Sequence, residues 1–459
     1  MMPICLLTAL NAYGVPSDLP SDRPNVMIIL MDTMRQDGLS CYGAPGTTPN
    51  LDAIAGEGLR YTRYYVTGSW TLPSHASLFT GQPTITHQVD AHTRRAKHSA
   101  PNGIGDVMPA VRLPGRMETL ASVLTNSGYR TVGICHNYHV SAETTLDYGF
   151  QQYYEGEDIR ELLAGLAKGA AGGARQNRIA NYWLDTQWDK KSPFLMFINY
   201  LEPHQPYNPP EPYRSRYVKE PYDDRLPLLN WKNSPEAIES DWWDDDNFRL
   251  MKLLYYAECA LLDDILKDLF DGLRKRGFFD DLLLIITSDH GDCIGEHRRL
   301  AHGSCVWDAQ LKVPLIIRYP KLIANPGIVE QGAQISDVMP TILDTVGLHN
   351  ERERIELPGM NLITEIPKQD DPRTVFLESY GGGKYVDEDT LPEATMQLRA
   401  IIKGNYKYVW SKQDGEVGLY KPYDDPAEEI NLMDSEPETV AALKTELRQW
   451  VESHGFSLN

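Results

Sequence analysis

One apolar segment near the start of the chain constrains the fold most strongly. After Asn25 the sequence runs Val-Met-Ile-Ile-Leu-Met without a polar residue and ends at Asp32. A continuous apolar run of this length is typical of a strand that is buried on both faces, as in a parallel sheet covered by helices. Such sheets bind ligands outside the carboxyl ends of their strands. The segment therefore predicts an α/β fold with Asp32 at the ligand-binding edge.

Further strand patterns alternate with helical patterns along the chain. The strand candidates are residues 131–135, 194–200, 282–287 and 314–318. A helix is predicted to start at Thr48 and to carry its apolar face through residues 54–61, and an amphipathic helix is predicted over residues 248–270. This alternation predicts a large, mostly parallel sheet with helices on both faces.

The pattern changes after residue 350. Short strand patterns at 374–378, 397–402 and 406–410 precede a helical pattern at 440–451. We therefore predict a catalytic α/β domain over residues 23–350 and a smaller C-terminal α+β subdomain over residues 351–459. Residues 1–22 are interpreted as an N-terminal extension. The Pro-, Trp- and Asp-rich segment 205–246 is interpreted as a lid or, equally, as an acidic surface loop.

The charge of the chain limits its partners. A formal net charge of -20 argues against nucleic acid or an anionic membrane as a partner, because either would be repelled. A small anionic substrate would need a local cation, which favours a bound metal ion over a broad basic groove.

Two sequence features bear on the cellular compartment of the protein. The six cysteines lack CxxC pairs and are interpreted as reduced, structural thiols. The apolar run from Ile4 to Leu10 has no preceding Lys or Arg and is too short to span a bilayer. These features favour a cytoplasmic protein without a membrane span, and a degenerate signal peptide is the alternative.

Three separated segments place metal-type ligands at the ends of apolar strand patterns. They contain Asp32, then Glu202 and His204, then Asp289 and His290. Each residue alone is explained as readily by helix capping or by a structural histidine. Their convergence at one sheet edge is hard to explain by packing and indicates a site for a divalent cation.

A hydroxyl-rich segment, Ser69 to Gly81, precedes an apolar helical pattern. Thr71 is predicted at the opening of that helix, where backbone N–H groups and the positive end of the helix dipole would stabilise an added anionic group. Thr71 is therefore a candidate nucleophile. The alternative is a helix-capping hydroxyl.

The ordered motifs resemble the sulfatase family of the alkaline phosphatase superfamily from Arg23 to Leu432. The matching segments are residues 24–37, 41–43, 48–52, 71–81, 202–207, 287–291, 295–297, 313–317, 419–420, 425–428 and 431–432. The resemblance implies an alkaline phosphatase-like fold and a hydrolase that acts on small anionic esters. It also implies one or two divalent cations, Ca, Mn or Zn.

The resemblance also implies roles for individual residues. The implied metal-binding residues are Asp32, Asp289, His290 and Thr71. His204 and His302 match positions that contact the ester oxygens or the leaving group, or that bind a second metal in phosphoesterase relatives. His75 lies in the nucleophile loop and is taken as a further catalytic candidate.

Three departures from the family pattern bear on the chemistry. Thr33 stands where many members have a second metal-binding Asp, Thr71 where a sulfatase has Cys or Ser, and His75 where the signature has Arg. Threonine cannot supply formylglycine, so the resemblance implies Thr71 as a direct nucleophile, as in the nucleotide pyrophosphatase/phosphodiesterases.

Three functional hypotheses follow. The family resemblance favours a sulfuric ester hydrolase. The chemistry of Thr71 favours a phosphodiesterase, a phosphomonoesterase or a phosphonate monoester hydrolase. A non-catalytic binding protein on a sulfatase scaffold is the alternative of another class.

Overall fold

The computed structural model describes residues 23–90, 92–93, 112–115, 117–156, 172–219, 245–367, 372–380, 385–386 and 397–458. The predicted N-terminal extension, residues 1–22, lies outside these residues. So does most of the predicted lid, from 220 to 244.

The chain alternates strands and helices, as its sequence pattern predicts. The strands are β1 Asn25–Met31, β2 Leu59–Tyr61, β3 Tyr64–Tyr65, β4 His92–Thr93, β5 Arg130–Cys135, β6 Gln152–Glu155, β7 Phe194–Tyr200, β8 Leu282–Thr287, β9 Cys293–Ile294, β10 Leu300–Ala301, β11 Leu315–Arg318, β12 Gly327–Val329, β13 Ala333–Gln334, β14 Val375–Ser379, β15 Tyr385–Val386, β16 Leu398–Lys403, β17 Tyr406–Ser411 and β18 Gly415–Tyr420. The α-helices are α1 Pro49–Ala55, α2 Thr71–Thr80, α3 Thr84–His87, α4 Leu120–Asn126, α5 Ala174–Thr186, α6 Tyr213–Tyr217, α7 Asp245–Lys275, α8 Asp308–Leu311, α9 Val338–Thr345, α10 His349–Ile355 and α11 Pro437–Ser453.

An eight-stranded sheet with the order β12-β2-β11-β8-β1-β7-β5-β6 forms the centre of the molecule. Strand β1 pairs in parallel with both β7 and β8, and β5 pairs in parallel with both β6 and β7. Strand β11 runs antiparallel to both of its neighbours. The sheet is thus mostly parallel, which confirms the predicted α/β fold.

Strand β1 occupies the middle of this sheet and is buried on both faces. Ile28 and Leu30 pack in the hydrophobic core on one face, whereas Met27 and Ile29 pack in the core on the other. Successive side chains of a strand point to opposite faces, so an uninterrupted apolar sequence is what a doubly covered strand requires. The interpretation of residues 25–31 is therefore confirmed.

Strands β14, β16, β17 and β18 form a separate antiparallel sheet in that order. The sequence pattern predicts three of them, β14, β16 and β17. Ile401 and Tyr408 of this sheet pack with Leu447 of helix α11. Ala400 and Val409 belong to the same core as one face of the central sheet. The C-terminal α+β region therefore shares a core with the α/β region, and the boundary at residue 350 stays a prediction.

The predicted helix over residues 54–61 is wrong in its second half. Helix α1 ends at Ala55, and Leu59–Tyr61 forms β2 beside β11. Glycines at 56 and 58 end the helix, and a Cβ at Gly58 would lie 2.3 Å from the carbonyl oxygen of Ile317. The close approach of the β11 backbone therefore requires glycine here, and tertiary pairing overrides the helical spacing of the apolar residues.

Two compartment-related observations complete the description. The five cysteines in the described part of the chain are free thiols, as predicted. Among the described residues, no helix combines the length and apolar character that a membrane span needs.

Candidate active site

The carboxyl ends of four neighbouring strands converge on one cluster of polar side chains. Asp32 follows β1 directly, Asn137 follows β5, and His204 follows β7. Asp289 and His290 follow β8 after a single serine. The three segments that the sequence indicated are thus brought to one edge of the sheet, as the parallel arrangement requires.

Two buried carboxylates form the base of this cluster. Asp32 Oδ2 accepts a hydrogen bond of 2.6 Å from Asn137 Nδ2, and Asp289 Oδ1 accepts from the N–H groups of Thr33 and His290. Asp32 Oδ1 and Asp289 Oδ2 are buried without a hydrogen-bond partner among the described residues. Burial raises the pKa of both carboxyls, and the charge of Asp32 raises that of Asp289 further. A bound cation would stabilise the charged form of both carboxylates.

The imidazole of His290 completes the ligand set. Its Nδ1 atom lies 3.1 Å from the carbonyl oxygen of Gly291, which assigns the proton to Nδ1. Nε2 is left as an acceptor, 3.8 Å from Asp32 Oδ1 and 3.4 Å from Asp289 Oδ2. Burial lowers the pKa of His290 well below its ordinary value, so the ring is neutral. A neutral imidazole whose other nitrogen donates to a carbonyl is the usual form of a histidine metal ligand.

The donor set fits a divalent cation. One ligand atom from each of Asp32, Asp289 and His290 lies within 4.8 Å of the others. The Thr33 hydroxyl, at the position of the missing family Asp, is also buried without a partner among the described residues. Thr33 has a φ of 57°, a left-handed conformation that is rare for a β-branched residue. Two carboxylate oxygens without partners among the described residues and one imidazole nitrogen suit Ca, Mn or Zn.

Thr71 is the first residue of α2, and its hydroxyl is turned into the cluster. Thr71 Oγ1 lies 3.4 Å from His290 Nε2 and 3.5 Å from Asn137 Nδ2. The N-cap position belongs to Trp70, so the alternative of Thr71 as the capping residue does not match the structure. The hydroxyl thus lies at a helix N-terminus beside the carboxylate pair, where an anionic group is stabilised.

His75 lies one helical turn after Thr71 and is fully buried. Its Nδ1 atom donates to the carbonyl oxygen of Thr71 at 2.8 Å, and its ring packs edge-on against Phe79 and Phe197. Burial lowers the pKa of His75 to about 4. His75, which stands where the family signature has arginine, is therefore neutral. It contacts the backbone of Thr71, whereas the hydroxyl of Thr71 contacts His290.

His302 faces the cluster from the opposite side. Its Nδ1 atom lies 2.6 Å from Asp292 Oδ1, and Asp292 Oδ2 accepts a hydrogen bond of 2.6 Å from the hydroxyl of Tyr207. Burial disfavours the charged imidazole and by itself would lower the pKa of His302. The charge of Asp292 and its hydrogen bond outweigh burial and raise the pKa. The ring centroid of His302 lies 4.3 Å from that of His290. A histidine held in its protonated form can donate a proton.

His204 stands beside His302, with ring centroids 5.2 Å apart. Its Nδ1 atom contacts the carbonyl oxygen of Gln205, so Nε2 is the nitrogen left for the site. His204 also lines a cavity of ≈ 430 Å³, which Glu258 and Leu261 of helix α7 line as well. The arrangement places His204 between the cluster and this cavity.

Two residues of the cluster were absent from the sequence prediction. Asn137 connects the carboxylate of Asp32 with the hydroxyl of Thr71, and Asp292 sets the charge of His302. Both had a signal, because Asn137 lies two residues after a predicted strand and Asp292 three residues after Asp289. Asn and Asp residues are common at protein surfaces, however. Only their positions in the folded chain show that Asn137 and Asp292 belong to the cluster.

The fold is of the alkaline phosphatase-like class, and the cluster adds groups that could hold a cation at the strand ends and a hydroxyl at a helix N-terminus. Comparison with known proteins agrees. The family model described as Sulfatase matches residues 24–348. The chain is 25% identical to an uncharacterized sulfatase, YidJ, of Escherichia coli (strain K12), over 90% of this chain and 83% of that protein. It is 26% identical to the multifunctional alkaline phosphatase superfamily protein PehA of Trinickia caryophylli, over 84% and 87%.

Among solved structures, a phosphonate monoester hydrolase of Agrobacterium radiobacter superposes with a TM-score of 0.72 at 21% identity, covering 94% of this chain and 96% of that chain. This likeness concerns the fold. The family match covers most of the chain, and the chain belongs to the sulfatase family. It is therefore an enzyme that hydrolyses ester bonds, as the sequence resemblance implied.

Proposed function

We propose that the protein is a metal-dependent hydrolase of singly charged anionic esters, with sulfate monoesters as its first candidate substrates and Thr71 as its direct nucleophile. The observation that carries this proposal is the position of Thr71 Oγ1, 3.4 Å from His290 Nε2 at the start of helix α2. Asp32, Asp289 and His290 would hold the cation. When bound, a divalent cation supplies Lewis-acid stabilisation of the hydroxylate and of the ester oxygens.

The residues of the chain then have distinct roles. The Thr71 hydroxyl gives its proton to solvent water, and Oγ1 then attacks the sulfur or phosphorus atom in line with the departing alcohol oxygen. The amides at the start of α2 stabilise the negative charge that collects on the transferred group. Asn137 orients both Asp32 and Thr71, since its amide lies between them.

His302 is the candidate general acid. Asp292 orients its ring and raises its pKa, which favours the protonated form whose Nε2 atom can give a proton to the leaving alcohol. The same atom can then accept a proton from the water that hydrolyses the sulfo- or phospho-threonine. His290, Asp292 and His302 also offer ligand atoms within 4.8 Å of one another, so binding of a second cation is the alternative role of this pair. His75 is a positioning residue that holds the Thr71 carbonyl.

The charges of the site favour a singly charged ester. Three carboxylates, those of Asp32, Asp289 and Asp292, balance the two charges of a divalent cation and the one of protonated His302. Thr71 and His75 add no charge where the family signature has an arginine. A dianionic phosphate monoester would leave more uncompensated charge in this buried site than a sulfate monoester, a phosphodiester or a phosphonate monoester.

A second candidate is phosphonate monoester or phosphodiester hydrolysis. The specific observation in its favour is the threonine at position 71, because a sulfated ordinary alcohol is harder to cleave by water than a phosphorylated one. The similar proteins named above include one called a sulfatase and one called a phosphonate monoester hydrolase.

The test is a metal analysis paired with a substrate panel. Purified protein is stripped with a chelator, reloaded with Ca, Mn or Zn, and assayed with p-nitrophenyl sulfate, p-nitrophenyl phenylphosphonate, bis(p-nitrophenyl) phosphate and p-nitrophenyl phosphate. We expect metal-dependent turnover with higher kcat/KM for the singly charged esters. A preference for p-nitrophenyl phosphate would contradict the charge argument, and no turnover of any ester would favour the non-catalytic alternative.

A further inference from the structure

One cavity shares a single residue, His204, with the cluster, and the His204 ring stands beside that of His302. It has a volume of ≈ 430 Å³ and lies between the segment after β7 and helix α7. His204 lines it next to the site, and Glu202, Glu258 and Arg175 supply its charged groups. The following inference rests on the proposed ester hydrolysis and concerns which alcohol this cavity accepts.

Glu258 projects from the interior face of helix α7 and is only 7% exposed. One of its oxygens accepts a hydrogen bond of 3.0 Å from the N–H of Asn208. Within the part of the chain that the structure describes, the other oxygen has no hydrogen-bond partner. Burial and the charge of Glu202 raise the pKa of Glu258 to about 8. Among the described residues, Arg214 lowers this pKa but does not outweigh burial.

The two carboxylate oxygens of Glu202 also differ in their hydrogen bonding. Its Oε1 atom accepts a hydrogen bond of 2.8 Å from the N–H of Gly173, whereas Oε2 is buried without a partner among the described residues. Burial raises the pKa of this carboxyl. Among the described residues, Glu202 therefore keeps one buried oxygen without a hydrogen bond, and the charge of Arg175 lowers its pKa without outweighing burial.

Basic groups near the cavity are few. Arg214 lowers the pKa of Glu258, but its own guanidinium donates to Asn208 Oδ1 at 2.9 Å and to the carbonyl oxygen of Pro209 at 3.2 Å. Arg175 lines the cavity directly.

A second cavity of ≈ 400 Å³ adjoins the first at His136 and adds the carboxylates of Glu143 and Glu155. Across the described linings of both cavities, four glutamates face one arginine and no lysine. An alcohol that carries carboxylate or further sulfate groups would meet like charge here. A cationic alcohol would meet opposite charge.

We propose that this cavity binds the alcohol half of the ester and that Glu202 and Glu258 select an alcohol that carries an ammonium group. The ester thus has an anionic end at Thr71 and a cationic end between the two glutamates. An ammonium group would form charge-assisted hydrogen bonds with the carboxylates of this lining.

The test compares matched esters that differ in one terminal group. 2-Aminoethyl, propyl and 2-carboxyethyl sulfate are assayed with the metal-loaded protein, together with the corresponding phenylphosphonates. The ammonium and methyl ends are nearly isosteric. We expect kcat/KM to be roughly tenfold to hundredfold higher for the aminoethyl ester than for the propyl ester, and lowest for the carboxyethyl ester.

Glu258→Gln is expected to reduce the ratio of aminoethyl to propyl kcat/KM by about tenfold or more, because the amide keeps the shape and loses the charge. Asp268→Asn is the matched control, since it removes one exposed acid from the same helix outside the cavity. It should leave the ratio unchanged. Glu202→Gln serves as a second variant in case Glu258→Gln does not fold.

The outcomes separate the two proposals. Turnover of the esters without a preference for the aminoethyl group, or a ratio that neither glutamate variant changes, overturns the inference about the alcohol and leaves the hydrolase proposal standing. Failure to hydrolyse every ester of both panels overturns the proposed function and, with it, this inference.

Discussion

Replacing Asp289 by asparagine alters the candidate metal site by a single functional group. The Oδ1 atom of Asp289 accepts from the N–H groups of Thr33 and His290, and the asparagine oxygen can accept both. The unpartnered Oδ2 atom, 3.4 Å from His290 Nε2, becomes an NH₂ group that cannot bind a cation. We expect a folded protein without turnover and without metal binding at this site.

The change should have opposite effects on stability with and without metal. The ligand atoms of Asp32 and Asp289 lie within 4.8 Å of each other, a separation at which two unit charges repel by about 3.5 kcal/mol at an effective dielectric constant near 20. Protonation of Asp289, whose pKa is raised well above its ordinary value, relieves part of this repulsion. The metal-free variant should therefore be more stable than the metal-free wild type, by less than about 3.5 kcal/mol. In contrast, the wild type should gain about 2.7 kcal/mol at a hundredfold excess of metal over Kd, and the variant should gain nothing.

The assay is urea unfolding of both proteins in chelator and in excess Mn or Ca. Asp263→Asn is the matched control, because Asp263 is also a buried acid but accepts hydrogen bonds from the N–H groups of Asn50 and Leu51. This control should lose stability in both conditions and keep the full response to metal. The reasoning is refuted if Asp289→Asn keeps that response, or if its metal-free stability falls as far as that of the control.

Three further predictions concern other parts of the molecule. Thr71→Ala should lower kcat by about four orders of magnitude or more, whereas Thr71→Ser should stay within about a hundredfold of the wild type, because a hydroxyl remains at the start of α2; acid trapping and peptide mass spectrometry should locate the adduct on an unoxidised Thr71. His302→Gln should slow esters of poorly acidic alcohols much more than p-nitrophenyl esters, and equal slowing of both would exclude the general-acid role. Lys407 is buried between Asp308 and Glu428 at 2.9 and 2.7 Å, so Lys407→Met should cost about 3 to 5 kcal/mol in urea unfolding, and Lys407→Met combined with Asp308→Asn and Glu428→Gln should recover much of this loss.

Local sequence was sufficient where one interaction dominates. Strand β1 was predictable because a strand covered on both faces needs apolar residues at every position, and its end at Asp32 follows from the same pattern. The C-terminal end of α1 was not predictable, because the apolar residues of β2 continue the helical spacing of those in α1. Gly58 marks the boundary only once the nearby Ile317 carbonyl is known.

The sequence by itself determined the fold class, the family and the residue types that gather at the strand ends, since each depends on patterns that are local or ordered along the chain. The tertiary structure decided which atoms are left without partners. The free oxygens of Asp32 and Asp289, the link through Asn137 and the pairing of His302 with Asp292 all join residues from different strands. The charge and hydrogen bonding of a side chain depend on such distant neighbours, and only the folded chain brings them together.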